Sequence, residues 1–208
     1  MQSAFTTTGE HTGYKIIGVD PAAGGDNSAI VLKSANLQEV LFNQKLQNTM
    51  DLVTVVADAY RSHRADYIVV DKTGIGQGVY DRLRDMGYNV RGVSFGEKSE
   101  DDQFGNLKAE WHWRQRKWII GGGKLLHNVA WNEFEIVKYK NKDGKIIIQP
   151  KEDLFREGIS SPNVVDAAVL TMVIDDQSIK TTKFLKTHKG GYDAMDAIWR
   201  GDSTGAIF

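Results

Sequence analysis

Two continuous apolar runs each end on an aspartate: Tyr14–Lys15–Ile16–Ile17–Gly18–Val19–Asp20 and Tyr67–Ile68–Val69–Val70–Asp71. Runs that do not alternate with polar residues read as strands covered on both faces, as in a parallel sheet. Ser28 to Lys33 and Glu39 to Gln44 read as two more strands. Their link is short, so they pair as a hairpin. The loop from Pro21 to Asn27 carries Gly24 and Gly25 and suits a tight reversal, with Asp26 shaping it. The first three strands therefore form an antiparallel meander.

Helical spacing of Leu52, Val55, Val56, Ala59 and Tyr60 predicts a helix from Met50 to His63, with Thr49 as its N-cap. The strand ending in Asp71 follows, so the crossover makes it parallel to a strand of the sheet. Beside the first strand, it brings Asp20 and Asp71 to adjacent carboxyl ends, where open α/β sheets bind ligands. A helix from Val79 to Met86 ends at Gly87, and Asn89 to Val93 makes a fifth strand. Ser94 to Gly105 is polar and acidic and reads as a mobile loop. Asn106 to Ile120 reads as a helix. Asp143–Gly144 between Ile136–Lys140 and Lys145–Gln149 signals a hairpin. Ser161 as N-cap and Pro162 as first residue start a last helix, running to about Ile174. The expected fold is α/β: a mixed five-stranded core sheet, three antiparallel strands then parallel ones, flanked by helices and carrying an extra hairpin.

The expected organisation is a linker-like, Thr- and Gly-rich start over 1–13, a domain over 14–175, and a polar tail over 176–208. The start reads as a linker stub, so the chain reads as one domain of a longer protein. Hydrophobic residues make up 41%, ordinary for a globular domain, and no apolar run is long enough to span a membrane. The net charge of −1 gives no global basic field, so a nucleic-acid contact must be local, and binding by the isolated domain weak and salt-sensitive. The absence of cysteine excludes disulfides, zinc–thiolate sites and thiol nucleophiles.

Asp166 lies on the apolar side of the last helix, with Val169, Leu170 and Val173. Singly, a strand-end acid caps a turn more often than it catalyses, and a buried helix acid pairs with a cation, here Lys151 or Arg156. Together, Asp20, Asp71 and Asp166 repel one another unless positive charge sits among them. Three acids without histidine select hard cations, Mg²⁺ or Mn²⁺. Two such ions suit phosphodiester hydrolysis. Gly74, Gly76 and Gly78 do not make a dinucleotide fingerprint, since position 79 is Val79, and no ATP-binding P-loop occurs. They form a sharp turn beside Asp71. Lys138, Lys140, Lys142 and Lys145 on the hairpin, with Arg114 and Lys117 on the preceding helix, are candidate DNA contacts. Arg116 and Trp111, Trp113 and Trp118 lie near them. The tryptophans read as core, and His112, without an evident partner, as structural.

The motifs Gly18–Val19–Asp20–Pro21–Ala22–Ala23–Gly24–Gly25–Asp26, Val69–Val70–Asp71–Lys72–Thr73–Gly74–Ile75–Gly76 and Ser161–Pro162–Asn163–Val164–Val165–Asp166–Ala167 resemble the nuclease domain of phage large terminase subunits. The helix with Lys108–Ala109–Glu110–Trp111 looks like the same family. The resemblance runs from about Tyr14 to Ile174 and implies a ribonuclease H-like fold. It also implies two divalent ions on Asp20, Asp71 and Asp166, and cleavage of concatemeric double-stranded DNA during viral packaging. An N-terminal ATPase domain, a portal protein and a small terminase subunit are the implied partners, and the cytoplasm of an infected bacterium the implied place, without a membrane. Where many members carry an acid, this chain has Asn163, which brings no charge. The rivals are an actin-like phosphate-binding fold, which needs a second domain and an adenosine site, and a non-catalytic docking module of the packaging motor. A four-way-junction resolvase shares the fold and the acid triad and differs in substrate.

Overall fold

The chain is described by a computed structural model covering residues 4–22, 25–158 and 160–174. The tail 176–208, Gly24 of the first loop and the first three residues lie outside these described residues. The described residues up to Val173 form one compact unit. In chain order the elements are β1 (Phe5–Thr6), β2 (Ile16–Asp20), β3 (Ser28–Lys33), β4 (Leu37–Gln44), α1 (Thr49–His63), β5 (Tyr67–Asp71), α2 (Gly76–Asp85) and β6 (Val90–Val93). Then follow α3 (Leu107–Ile120), β7 (Lys124–Leu126), a 3-10 helix (Val129–Glu135), β8 (Tyr139–Lys142), β9 (Lys145–Ile148), α4 (Lys151–Arg156) and α5 (Asn163–Leu170).

The strand order is β1-β7-β4-β3-β2-β5-β6. The five strands read from the pattern are contiguous in the sheet. β2, β3 and β4 form the antiparallel meander, and β5 and β6 continue it in parallel. Two short strands extend the far edge. β7 joins β4, and Phe5–Thr6, within the stretch read as a linker, joins β7. Neither is long enough to leave a periodic signal.

Pleat parity decides what each face carries, because successive side chains point to opposite sides. Ile17, Val19, Ile30, Leu32, Ile68 and Val70 pack with Leu52, Val53 and Val56 of α1 and Val79 and Leu83 of α2. Ala29 and Val31 face the other way and pack with Val164, Ala167 and Ala168 of α5, with Leu125, and with Trp131. The same parity puts Gly18 and Asp20 of β2, and Val69 and Asp71 of β5, on the α5 side. β2 and β5 run in parallel register to Val19↔Val70, so the two acids end neighbouring strands on one face.

That face is closely approached. A Cβ on Gly18 would lie 2.0 Å from the Ala167 carbonyl oxygen, and one on Gly76 would lie 1.8 Å from the Asp71 carbonyl oxygen. Glycine is needed at both places because α5 rests on the β2 backbone and α2 begins against the end of β5.

Several boundaries differ from the pattern for identifiable reasons. Asn48, not Thr49, caps α1: its Oδ1 accepts from Met50 N at 2.8 Å. Ser161 does not cap α5, and Pro162 is the cap residue rather than the first helical one. Glu133 of the 3-10 helix does that work, its Oε2 accepting from Val164 N at 2.8 Å and Val165 N at 3.2 Å. α5 stops at Leu170 rather than near Ile174. The Thr171 hydroxyl donates back to the Ala168 carbonyl at 2.6 Å and accepts from Gln38 Nε2 at 3.0 Å, competing with the helical ladder. The 94–105 loop, read as mobile, is anchored by buried Phe95 and Phe104 and by a hydrogen bond from Ser99 Oγ to Glu110 Oε2 at 2.6 Å. The hairpin turns at Asp143 and Gly144, both with positive φ, as their residue types require. Ile136 ends the 3-10 helix instead of starting β8.

Gly18→Ala is expected to destabilise the domain by about 2–3 kcal/mol or more, since backbone lies in the way. Gly78→Ala, in an open helical position, is expected to be neutral or stabilising by up to about 1 kcal/mol. Urea unfolding of the two variants checks the contrast.

Candidate active site

Asp20 is 5% exposed and Asp166 is fully buried, and both lie where β2, β5 and the first turn of α5 meet. Asp71, half-buried, closes a tight turn. Its Oδ1 accepts from Thr73 N at 3.0 Å and Thr73 Oγ1 at 2.6 Å, which fixes the carboxylate at the strand end. Thus the capping role of a strand-end acid is present at Asp71, and Asp20 still feels its charge.

Positive charge enters from two helices. Lys108 of α3 places Nζ 2.9 Å from both Asp166 oxygens and donates to Oδ2. Lys151, the first residue of α4, lies 3.2 Å from the same Oδ2. The salt bridge from Lys151 to Asp166 is the one expected from a buried helix acid, while Arg156 pairs with Asp153 instead. His112, one turn after Lys108, puts Nε2 3.5 Å from Asp166 Oδ1. At that length the His112 contact is a weak one, and the Lys108 ammonium is the close partner of Oδ1.

These positions set the proton affinities. Burial would raise Asp166, but Lys108, His112 and Lys151 overcome it and hold the carboxyl well below its ordinary value. Asp20 goes the other way. Burial raises it, Lys151 opposes, and Asp166 and Asp71 add to the rise, so it is pushed up to about 8. Burial would lower Lys151, yet Asp20 and Asp166 hold it above its ordinary value. Burial lowers His112 despite Asp166, which keeps the imidazole neutral. The cluster thus holds ionised Asp166, two ammonium groups and a protonated Asp20 near neutral pH.

The donor set fits a hard divalent cation: the carboxylate oxygens of Asp20, Asp71 and Asp166, and no cysteine. Among the described residues, no three His, Asp or Glu side chains stand as a ready-made cage. The lysines occupy the middle of the cluster, so a cation entering it must shift them.

The Terminase RNaseH-like domain family matches residues 17–155. The chain belongs to this family. The matched terminase segment includes Asp20 and Asp71 and ends before Asp166. No curated protein sequence matches the chain. Among solved structures, the nuclease domain of the large terminase subunit gp2 of bacterial virus Sf6 aligns with a TM-score of 0.70 at 15% identity, over 82% of this chain and 94% of that one. The large terminase nuclease from thermophilic phage G20c, solved with bound magnesium, aligns at 0.62 and 15%, over 83% and 93%. The nuclease domain from Thermus phage P74-26 aligns at 0.55 and 14%, over 76% and 77%. At these identities the likeness establishes the ribonuclease H-like fold of the terminase domain.

The expected DNA-contact residues lie on two elements. Lys140 and Lys145 pair with Asp153 at 2.8 Å and Asp102 at 3.5 Å, and Lys138 is 3.8 Å from Glu157. Lys142 and Lys117 are exposed. Arg114 pairs with Glu110 at 2.5 Å and reaches the Met172 carbonyl at 3.4 Å. Exposed pairs of this kind contribute little and yield readily to a phosphate. Sequence reasoning missed Lys108 and Glu133 and read His112 as merely structural. Lys108 and His112 are four residues apart on one helix face, which is the available signal.

Glu133 also titrates unusually. Burial raises it from 4.5 to about 7 against the Val165 and Val164 amide bonds. Between those values the folded chain keeps a proton that the unfolded chain has released. Its favourable contribution is present below pH 4.5 and lost as the pH rises through 7. Glu133→Gln should flatten this fall in stability, measured by unfolding at the two ends of the window. Glu133→Ala should cost about 1 kcal/mol by removing the α5 cap.

Proposed function

We propose that the chain is a metal-dependent DNA endonuclease domain of a viral packaging terminase, cutting concatemeric double-stranded DNA. What supports this reading is that Asp20 and Asp71 end neighbouring parallel strands on the face covered by α5, and that Asp20 feels the charges of both Asp71 and Asp166. Two Mg²⁺ or Mn²⁺ ions held by these three acids would supply an activated water and neutralise charge on the leaving oxygen. Relatives of this fold solved with bound magnesium and with manganese support the choice of ion.

The chain's own residues prepare that chemistry. Thr73 fixes Asp71, while Lys108, Lys151 and His112 hold Asp166 ionised and aimed at the strand ends. Asp20 gives up its proton when positive charge replaces the repulsion from its neighbours. Asn163, buried in the first turn of α5, adds no charge to the ligand set. Lys138, Lys140, Lys142 and Lys145 of the hairpin, with Arg114 and Lys117, are the proposed contacts to the DNA backbone. The functional unit is residues 14–175. An N-terminal ATPase domain, the portal protein and the small terminase subunit are its proposed partners, in the cytoplasm of an infected host.

The two lysines favour one other reading. They already neutralise the acids, so the cluster could serve only to fasten α3 and α4 to α5 in a docking module. Plasmid cleavage in Mg²⁺, Mn²⁺ or EDTA separates the two. We expect metal-dependent nicking and linearisation by the wild type and none by Asp71→Ala. Cleavage surviving in that variant, or absent from the folded wild type under every metal, would favour the docking module.

A separate expectation concerns Thr73. Thr73→Ala removes the hydroxyl bond to Asp71 and should lower cleavage about 10-fold at fixed metal, with higher metal restoring part of it. Cleavage rates titrated against Mg²⁺ test this.

A further inference from the structure

A cavity of about 430 Å³ opens between α3, the β8–β9 hairpin and the 3-10 helix. Four of its lining residues, His112, Val137, Lys138 and Ile148, also line the small cavity that contains Asp166. One layer of side chains therefore separates it from the acid cluster. From His112 it follows α3 to Ile120, roughly 12 Å at the helical rise.

The chemistry of its wall is specific. Trp113, Phe134 and Tyr139 supply aromatic faces. Trp113 and Tyr139 meet edge to face at 5.5 Å, and Tyr139 remains 61% exposed. The charged lining residues are Arg116 and Lys138, with no carboxylate among them. Arg116 lies 5.5 Å from the Trp113 ring centre, and among the described residues no acid pairs with it. Aromatic faces beside cations are the means by which proteins hold single-stranded nucleic acid: bases stack and phosphates meet the cations. A paired duplex offers no free base face to such a wall. An apolar protein segment would fill the aromatic part and leave Arg116 unmatched, while Lys138 keeps only its 3.8 Å surface contact with Glu157. The volume is that of a small-ligand cleft, about 300–1,000 Å³.

We propose that this groove is a nucleotide subsite. It takes an unpaired base of the DNA strand next to the cutting site, with Arg116 and Lys138 on the flanking phosphates. The subsite rests on the nuclease reading and narrows its substrate to DNA that is locally unpaired beside the scissile phosphate.

The test uses the 208-residue chain in EDTA, so that binding is read without cleavage. Fluorescence anisotropy compares a labelled single strand, a duplex with a single-stranded tail and a blunt duplex. The wild type should bind the first two more tightly than the third. Tyr139→Ala and Arg116→Gln, both at exposed positions that leave the core intact, should each weaken binding of unpaired DNA about 10-fold. Blunt-duplex binding should change by less than about twofold, the scale of one exposed contact. Equal affinity for all three DNAs overturns the subsite, as does an equal loss on all three in the variants. Variants that lose nothing also overturn it and leave the groove to a protein segment. Plasmid cleavage read beside these data keeps the two ideas apart. Cleavage without the unpaired-strand preference removes only the subsite. The preference without cleavage removes only the nuclease.

Discussion

Three carboxylates cannot be gathered at a dry sheet edge without positive charge among them, and the surrounding structure follows from that constraint. Asp166 is fully buried, and Lys108 and Lys151 reach it from different helices. A buried unpaired carboxylate would cost several kcal/mol. The lysines remove that cost for Asp166 but not for the whole cluster. Asp20 bears the rest: burial above all, with repulsion from Asp166 and Asp71 added, pushes its carboxyl up to about 8. A proton on Asp20 and two lysines thus balance the charge of the cluster.

Bringing the third acid close enough required small residues rather than charge. α5 can lie on β2 because Gly18 faces the Ala167 backbone, with Ala168 beside it. Any side chain at Gly18 would lift the helix, and Asp166 with it, away from Asp20 and Asp71. Glu133 completes the placement from outside the helix by accepting the Val164 and Val165 amides, one turn from Asp166. Packing, capping and the third acid of the cluster therefore meet in a single turn of α5.

Much of this was legible in the residues. Two unbroken apolar runs ending in Asp20 and Asp71 give covered strands, and the crossover between them gives parallel neighbours with both acids on one edge. Asp166 stood out as a charge on an apolar helix face. What could not be read depends on contacts between residues distant in the chain. Glu133 caps a helix thirty-one positions away, so the local Ser161–Pro162 signal was misleading. Thr171 ends α5 early through a bond to Gln38, across 133 positions. Asn48 beside Thr49 offered two acceptable caps, and only the backbone decides between them. β1 and β7 are too short to carry a period at all.

α3 shows why the charge partners were hidden. Its inward residues toward α5 are Lys108, His112 and Gln115, spaced four and three apart. That spacing ordinarily marks an apolar stripe, but here the facing surface is polar: Asp166 at one end and the Gln38–Thr171 network at the other. A helix that buries polar groups against polar groups shows weak amphipathicity in its sequence although it is well packed. The same helix walls the aromatic groove with Trp113, Arg116 and Ile120. His112 and Gln115 belong to both surfaces. His112 thus joins the two surfaces: it lines the groove on one side and lies 3.5 Å from Asp166 Oδ1 on the other, so one polar helix face serves both.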